Sequence, residues 1–109
     1  MARIGYARIS TAEQTLDLQR DALRAAGCME ILEDLGISGS RRSRPGLDQV
    51  LGRLGQDDVL VVWKLDRLGR SLPHLIEILD LVGQRGAGFQ SLTEMIDTTT
   101  PGGRLIFHV

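Results

Sequence analysis

The chain has 109 residues, 42% of them hydrophobic, and a formal net charge of −1. This length predicts one domain with a buried core, and the charge excludes a polycation that would bind nucleic acid over its whole surface. A single cysteine, Cys28, excludes an internal disulfide, and the apolar stretches are too short to cross a membrane. Cys28, His74 and His108 are too scattered to form a metal site, so we predict no metal. Without a signal-peptide pattern, the chain is predicted to be cytoplasmic and free of membrane contact.

The first half of the chain predicts two strands, one helix and a basic loop. Residues 3–9 are rich in Ile, Tyr and Ala, which favours a strand. An apolar stripe with helical spacing predicts a helix over about residues 12–26, which stops at Gly27. Residues 29–34 predict a second strand. Residues 35–44 are mostly Gly, Ser and Arg and predict a loop.

The second half predicts two helices and two strands. Pro45 opens a helix in which apolar residues recur at i, i+3, i+4 and i+7. Residues 59–64 form a near-continuous apolar run, which is typical of a strand buried on both faces. A helix capped by Ser71 is predicted over residues 72–84, and a fourth strand over residues 87–92.

Strands and helices therefore alternate, which predicts an α/β fold: an open, mostly parallel sheet in three layers, with helices on both faces. Such sheets bind ligands outside the carboxyl ends of their strands, where the strand order reverses. Ser10 and the basic segment 66–70 both follow predicted strands. If the first and third strands are neighbours, both segments face one site.

Ser10 and Arg8 each have a structural and a functional interpretation. Ser10 and Glu13 match a capping box, in which serine caps a helix, but a hydroxyl beside arginine also suits attack on a phosphate. Arg8 shares a strand face with Tyr6, and a buried arginine needs a partner or a ligand. For Arg8, the sequence alone does not decide between an ion pair with Asp66 and binding of a phosphate.

The remaining polar groups are ambiguous when each is taken alone. Arg67 and Arg70 could be surface residues, and Asp66 and Arg70 have the spacing of a helical salt bridge. Gly69 makes a regular helix there unfavourable. The loop arginines and Gln19 are uninformative individually, since charged loops are usually solvated.

Taken together, six segments resemble the catalytic domain of the serine recombinases, the resolvase/invertase family. The segments are residues 5–11 (GYARIST), 16–19 (LDLQ), 37–39 (ISG), 44–47 (RPGL), 64–71 (KLDRLGRS) and 97–103 (DTTTPGG). Any one of them is weak, but all six occur in family order and spacing, and they extend over essentially the whole chain.

The resemblance implies site-specific DNA strand exchange through a 5′-phosphoserine intermediate, with no cofactor. It also implies a homodimer and a synaptic homotetramer for the full-length protein. Carried over to this sequence, the nucleophile is Ser10, and the other catalytic positions are Arg8, Gln19, Arg44, Asp66, Arg67 and Arg70. The resemblance also carries over the loop serine, Ser38. We expect DNA contacts from Ser38, Arg41, Arg42 and Lys64. How the serine is activated stays open between the positive field and Asp66, the latter as proton acceptor or as orienting group.

The chain departs from the family pattern at its carboxyl end. We expect residues 1–100 to be the catalytic domain and residues 101–109 to begin the family's long dimerisation helix, with the helix-turn-helix domain absent. Such a fragment is expected to be monomeric or in non-native contacts, to bind DNA weakly and not to recombine. Two other interpretations are a phosphatase-like enzyme acting on a non-DNA substrate, and an oligomerisation module that has lost the chemistry.

Overall fold

The computed structural model describes residues 2–9, 16–35, 45–69 and 71–99. The elements, in chain order, are β1 (Arg3–Ile9), α1 (Leu16–Ala25), β2 (Glu30–Leu35), α2 (Pro45–Arg53), β3 (Val59–Val62), α3 (Leu65–Leu68), α4 (Leu72–Gln84), β4 (Gly88–Ser91) and β5 (Ile96–Asp97). The four strands and three helices predicted between residues 3 and 92 are present in the predicted order. The helix expected to begin within residues 101–109, and residues 12–15 of the first predicted helix, lie outside the described residues. The one-turn helix α3 and the short strand β5 were not predicted.

One sheet contains all five of these strands, in the order β2-β1-β3-β4-β5. The first four strands are mutually parallel, and β5 runs antiparallel at the edge beside β4. After β1, the chain adds β2 on one side and then β3 on the other. The strand order therefore reverses between β1 and β3, which confirms that these two strands are neighbours.

Two apolar cores, one on each face of the sheet, explain the three layers. On one face, Tyr6 and Leu60 pack with residues of α2 and α4. On the other face, Ala7 and Val61 pack with Leu23 of α1. The four residues of β3 are all buried, as its continuous apolar run predicts for a strand covered on both sides. The predicted fold class is confirmed.

The start of α4 matches its sequence signals. Oγ of Ser71 accepts a hydrogen bond from the backbone N–H of His74 at 3.3 Å, and a proline occupies the first turn. This contact satisfies one of the donors that a helix leaves unpaired at its amino end. With 13 residues, α4 is the longest helix in the described ranges. None of the helices in those ranges is both long and apolar enough to cross a membrane.

A buried carboxylate fixes the start of α2 against the sheet. Asp34, at the end of β2, accepts hydrogen bonds from the Tyr6 hydroxyl at 2.7 Å and from the backbone N–H groups of Gly46 at 2.7 Å and Leu47 at 3.0 Å. A Cβ on Gly46 would lie 2.7 Å from the carbonyl oxygen of Glu33, so only glycine permits this approach. Asp34 therefore bonds the end of β2 to the start of α2. The predicted loop over residues 35–44 begins inside β2 at Leu35, and its other residues lie outside the described residues.

Replacing Asp34 by alanine should lower the free energy of unfolding by about 2–4 kcal/mol, because three buried donors lose their acceptor. Urea unfolding followed by circular dichroism would measure the change. Asp34→Asn keeps one acceptor oxygen and should lose about half as much. Asp48→Ala removes an exposed carboxylate from the same helix turn and serves as the charge control. Equal losses in Asp34→Ala and Asp48→Ala would show that the hydrogen bonds at Asp34 contribute nothing specific.

Candidate active site

The candidate site lies at the carboxyl edge of the sheet, where β1 extends past β3. Pairing between β1 and β3 ends at Tyr6 and Val62, whereas pairing between β1 and β2 continues to Ile9. Beyond Tyr6, β1 therefore has a strand neighbour on one side only. Arg8 lies in this last section of β1, directly beside the reversal in strand order where open sheets bind ligands.

Gln19 of α1 takes the place of the missing strand neighbour. Its side-chain amide donates to the carbonyl oxygen of Arg8 at 3.1 Å and accepts from the backbone N–H of Arg8 at 3.2 Å. Gln19 is fully buried, so these two bonds satisfy polar groups that have no access to water. Gln19, uninformative in the sequence alone, thus fixes the end of β1.

Arg8 links β1 to α3 through main-chain oxygens. Its Nη2 donates to the carbonyl oxygen of Asp66 at 2.7 Å, and its Nε donates to the carbonyl oxygen of Arg67 at 3.3 Å. Only 8% of Arg8 is exposed, which is unusual for a charged residue and requires such partners. Arg8 and Asp66 are in contact, but through the Asp66 carbonyl oxygen, so this contact is a hydrogen bond to the main chain and not the ion pair that one interpretation of the sequence proposed.

Arg67 completes a compact cationic cluster. It is 7% exposed, and its Nη1 lies 3.5 Å from the carbonyl oxygen of Arg8. Its Nε lies 3.6 Å from Oδ1 of Asp66, whose side chain is 68% exposed. The centre of the Trp63 ring lies 5.7 Å from the Arg67 guanidinium and 4.7 Å from Nζ of Lys64, so both cations lie within cation–π distance of the same ring.

Gly69 has an extended backbone and ends the helical segment, as expected, so no regular helix runs from Asp66 through Gly69. The single turn just before it was not predicted. Residues Leu65–Leu68 form one helical turn, and the backbone N–H of Gly69 donates to the carbonyl oxygen of Leu65 at 3.2 Å. Leu68 is fully buried in the core shared by α2 and α4. Burial of this leucine favours the turn, and Gly69 ends it.

The structure thus brings together five of the predicted site residues at one edge: Arg8, Gln19, Lys64, Asp66 and Arg67. The other six predicted site residues lie outside the described residues: Ser10, Ser38, Arg41, Arg42, Arg44 and Arg70. Because Ile9 ends β1 and Gly69 ends the α3 turn, Ser10 and Arg70 each follow directly on a described part of this edge.

Sequence reasoning missed two acidic residues that hold helix starts against this edge of the sheet. One is Asp34, and the other is Glu94, whose carboxylate accepts from the backbone N–H of Leu65. Each stands at or just past the carboxyl end of a parallel strand, where polar side chains of such sheets collect. Their position near a strand end was the sequence signal that could have marked these two residues as candidates.

Comparison with known proteins identifies the family. The family model "Resolvase, N terminal domain" matches residues 3–109. The chain belongs to this family. Serine recombinase gin of Escherichia phage Mu is 57% identical over 106 residues, which cover 97% of this chain and 54% of that protein. DNA-invertase hin of Salmonella typhimurium is 52% identical over 109 residues, which cover 100% of this chain and 57% of that protein. The chain spans about half the length of these curated relatives.

Solved structures place the fold in the same group. The N-terminal catalytic domain of TP901-1 integrase superposes with a TM-score of 0.85 at 28% identity, covering 99% of this chain and 89% of that one. A resolvase family site-specific recombinase from Streptococcus pneumoniae superposes with a TM-score of 0.78 at 20% identity, a level that shows the fold alone. Its match covers 99% of this chain and 82% of the other.

Proposed function

We propose that this chain is the DNA-cleaving domain of a site-specific recombinase and that Ser10 is its nucleophile. The observation that carries the proposal is the pair of nearly buried guanidinium groups, Arg8 and Arg67, beside the point where Ser10 follows β1. Membership in the resolvase family supports a DNA phosphodiester as the substrate. Guanidinium groups suit a phosphate because their paired donors match its oxygens and they remain charged at any working pH.

In the proposed reaction, Oγ of Ser10 attacks the phosphorus of one DNA strand. A bond forms between Oγ and phosphorus, and the bond from phosphorus to the 3′ oxygen breaks. The serine proton leaves to an acceptor, and the departing 3′ oxygen gains a proton. One phosphodiester is exchanged for another, so attack by a 3′ hydroxyl can rejoin DNA without a nucleotide cofactor.

The cations act on the charge that this exchange develops. Negative charge grows on the non-bridging oxygens, and donors already held in place stabilise it more in the transition state than in the ground state. Arg8 and Arg67 are such donors, and Arg44 and Arg70 are assigned the same role. Asp66, with its exposed carboxylate, is one candidate to accept the serine proton or to orient the hydroxyl. In the alternative, the positive field favours the deprotonated serine and water takes the proton.

DNA contacts outside the reacting phosphate are assigned to Ser38, Arg41, Arg42 and Lys64. Recombination between two duplexes breaks four strands, and each chain supplies one Ser10. The chemistry therefore calls for four copies at a synapse, assembled from a pair at each DNA site. We include this homotetramer, formed from two homodimers, in the proposal.

Trapping a covalent protein–DNA adduct tests the function directly. We would use this chain alone and a chimera in which it replaces the matching part of the phage Mu recombinase, with that recombinase's DNA site. A nick a few nucleotides to the 5′ side of the cleavage point lets the short strand with its 3′ hydroxyl diffuse away. We expect an adduct in the chimera, mapped by mass spectrometry to Ser10.

The same samples separate this function from a phosphatase. Incubation with p-nitrophenyl phosphate should release no phosphate above the uncatalysed rate. An adduct mapped to a different residue would refute the nucleophile assignment. Turnover of the small ester without any DNA adduct would favour the phosphatase-like interpretation instead.

A further inference from the structure

The one-turn helix α3 has no cap of its own. Lys64 occupies the position before its first turn, and its side chain makes no capping hydrogen bond. The backbone N–H of Leu65 is bonded to the carboxylate of Glu94, at 3.2 Å from Oε1 and 3.4 Å from Oε2. A residue 29 positions further along the chain therefore satisfies the first donor of α3.

Glu94 is itself held in place from two sides. The hydroxyl of Ser91, a fully buried residue at the end of β4, donates to Oε1 of Glu94. The turn that carries Glu94 is also hydrogen-bonded to the end of β3. The backbone N–H of Leu92 donates to the carbonyl oxygen of Val62 at 3.0 Å, and the backbone N–H of Thr93 donates to the carbonyl oxygen of Trp63 at 2.9 Å. The carboxylate thus stands on an exposed turn that is hydrogen-bonded to the ends of both β3 and β4.

The contact between Glu94 and Leu65 is important because α3 holds the two cations of the site. The carbonyl oxygens of Asp66 and Arg67 receive the Arg8 guanidinium, and Arg67 lies against the main chain of Arg8. A shift in the start of α3 would move Arg67 and the two carbonyl oxygens that hold the Arg8 guanidinium. Displacing reacting groups by about 1 Å can lower a rate roughly 100-fold.

We propose that Glu94 is a positioning residue for DNA cleavage: its carboxylate fixes the start of α3, and α3 in turn sets Arg8 and Arg67 at the scissile phosphate. This inference rests on the proposed recombinase function. Glu94 is not expected to touch the DNA. Its effect should appear in the rate of cleavage and not in DNA affinity.

Three variants of the chimera test the inference: Glu94→Ala, Glu94→Gln and the control Glu77→Ala. Glu77 is an exposed carboxylate on α4, so its removal matches the change in charge. At saturating DNA, Glu94→Ala should form adduct roughly 10- to 100-fold more slowly, with half-saturation within about twofold of the parent. Glu94→Gln keeps an acceptor oxygen and should recover most of the rate, and Glu77→Ala should match the parent.

Hydrogen exchange in the chain without DNA gives an independent measurement. The Leu65 amide should exchange about tenfold faster in Glu94→Ala and near the parental rate in Glu94→Gln, because only the first loses its acceptor. If Glu94→Ala does not fold, Ser91→Ala, which frees the carboxylate without removing it, should show the same changes at smaller size. Parental cleavage and parental exchange in the folded variant would overturn the inference. The inference would also be overturned if the DNA affinity of Glu94→Ala fell by as large a factor as its cleavage rate.

The two proposals fail in different ways. If the parent chimera forms no adduct, the recombinase function fails, and the exchange data still report whether Glu94 holds α3. If the parent forms an adduct and Glu94→Ala forms it equally fast, the positioning role alone is refuted.

Discussion

Replacing Ser10 by alanine should abolish the covalent adduct with DNA, because no other group in the proposed reaction forms the bond to phosphorus. We expect no adduct above background in the chimera, even after an incubation hundreds of times longer than the parent needs. DNA affinity should change little, since the phosphate contacts are assigned to arginines. Gel electrophoresis under denaturing conditions measures the adduct, and a filter-binding assay measures the affinity.

A second variant at position 10 tests whether Ser10 acts only as a helix cap. Asparagine caps helices about as well as serine but carries no hydroxyl. If Ser10 only caps the following helix, Ser10→Asn should cleave DNA like the parent, whereas Ser10→Ala should lose about 0.5–2 kcal/mol of stability and little activity. If Ser10 is the nucleophile, both variants are inactive, whatever their stability. Adduct formation by Ser10→Asn would therefore refute the nucleophile assignment.

The hydrophobic pattern was sufficient to predict the sheet and most of its helices. Strand β1 and helix α4 have the predicted bounds, because an apolar run or a capped apolar stripe marks each of them. The third strand was predicted over residues 59–64 but ends at Val62. The carbonyl oxygen of Trp63 bonds to the turn after β4, and the chain then enters α3. Hydrophobicity alone does not show such a change of direction.

The internal support of the site was much harder to predict. Arg8 is held by two carbonyl oxygens, and every residue has a carbonyl, so no residue type signals this contact. The donor of Leu65 finds its acceptor on Glu94, far along the chain, through the placement of β3 beside β4. Sequence spacing indicated which residues share the strand-end edge. Only the three-dimensional arrangement shows which atoms hold them there.

Arginine at position 8 should be needed for cleavage more than for folding. Arg8→Ala should lower the rate of adduct formation roughly 100- to 1000-fold, the usual cost of losing one preorganised donor from a site that stabilises developing charge. Arg8→Lys should recover little of this loss. A lysine ammonium is a single point charge, and it cannot bond to the carbonyls of Asp66 and Arg67 with the fork geometry of a guanidinium while also facing a phosphate.

The loss of cleavage rate in Arg8→Ala must be separated from a defect in folding, because Arg8 is nearly buried and bonded to α3. Arg8→Ala leaves two carbonyl oxygens without this donor, so we expect the free energy of unfolding to fall by about 1–3 kcal/mol. Arg24→Ala removes an exposed arginine from α1 and is the control for net charge. Urea unfolding at several temperatures identifies one at which the parent, Arg8→Ala, Arg8→Lys and Arg24→Ala are all folded, and the cleavage rates are compared there.

Guanidinium ion distinguishes a direct role of Arg8 from a purely structural one. Added at millimolar concentration, far below the denaturing range, it can occupy the space that the missing side chain leaves and supply the same donors. Cleavage by Arg8→Ala should then rise several-fold, whereas sodium chloride at equal ionic strength should only weaken DNA binding. A variant that cleaves within about threefold of the parent without guanidinium would show that Arg8 does not stabilise the reacting phosphate. In that case its bonds to α3 would be its whole contribution, and Arg67 would be the remaining described cation placed for the chemistry.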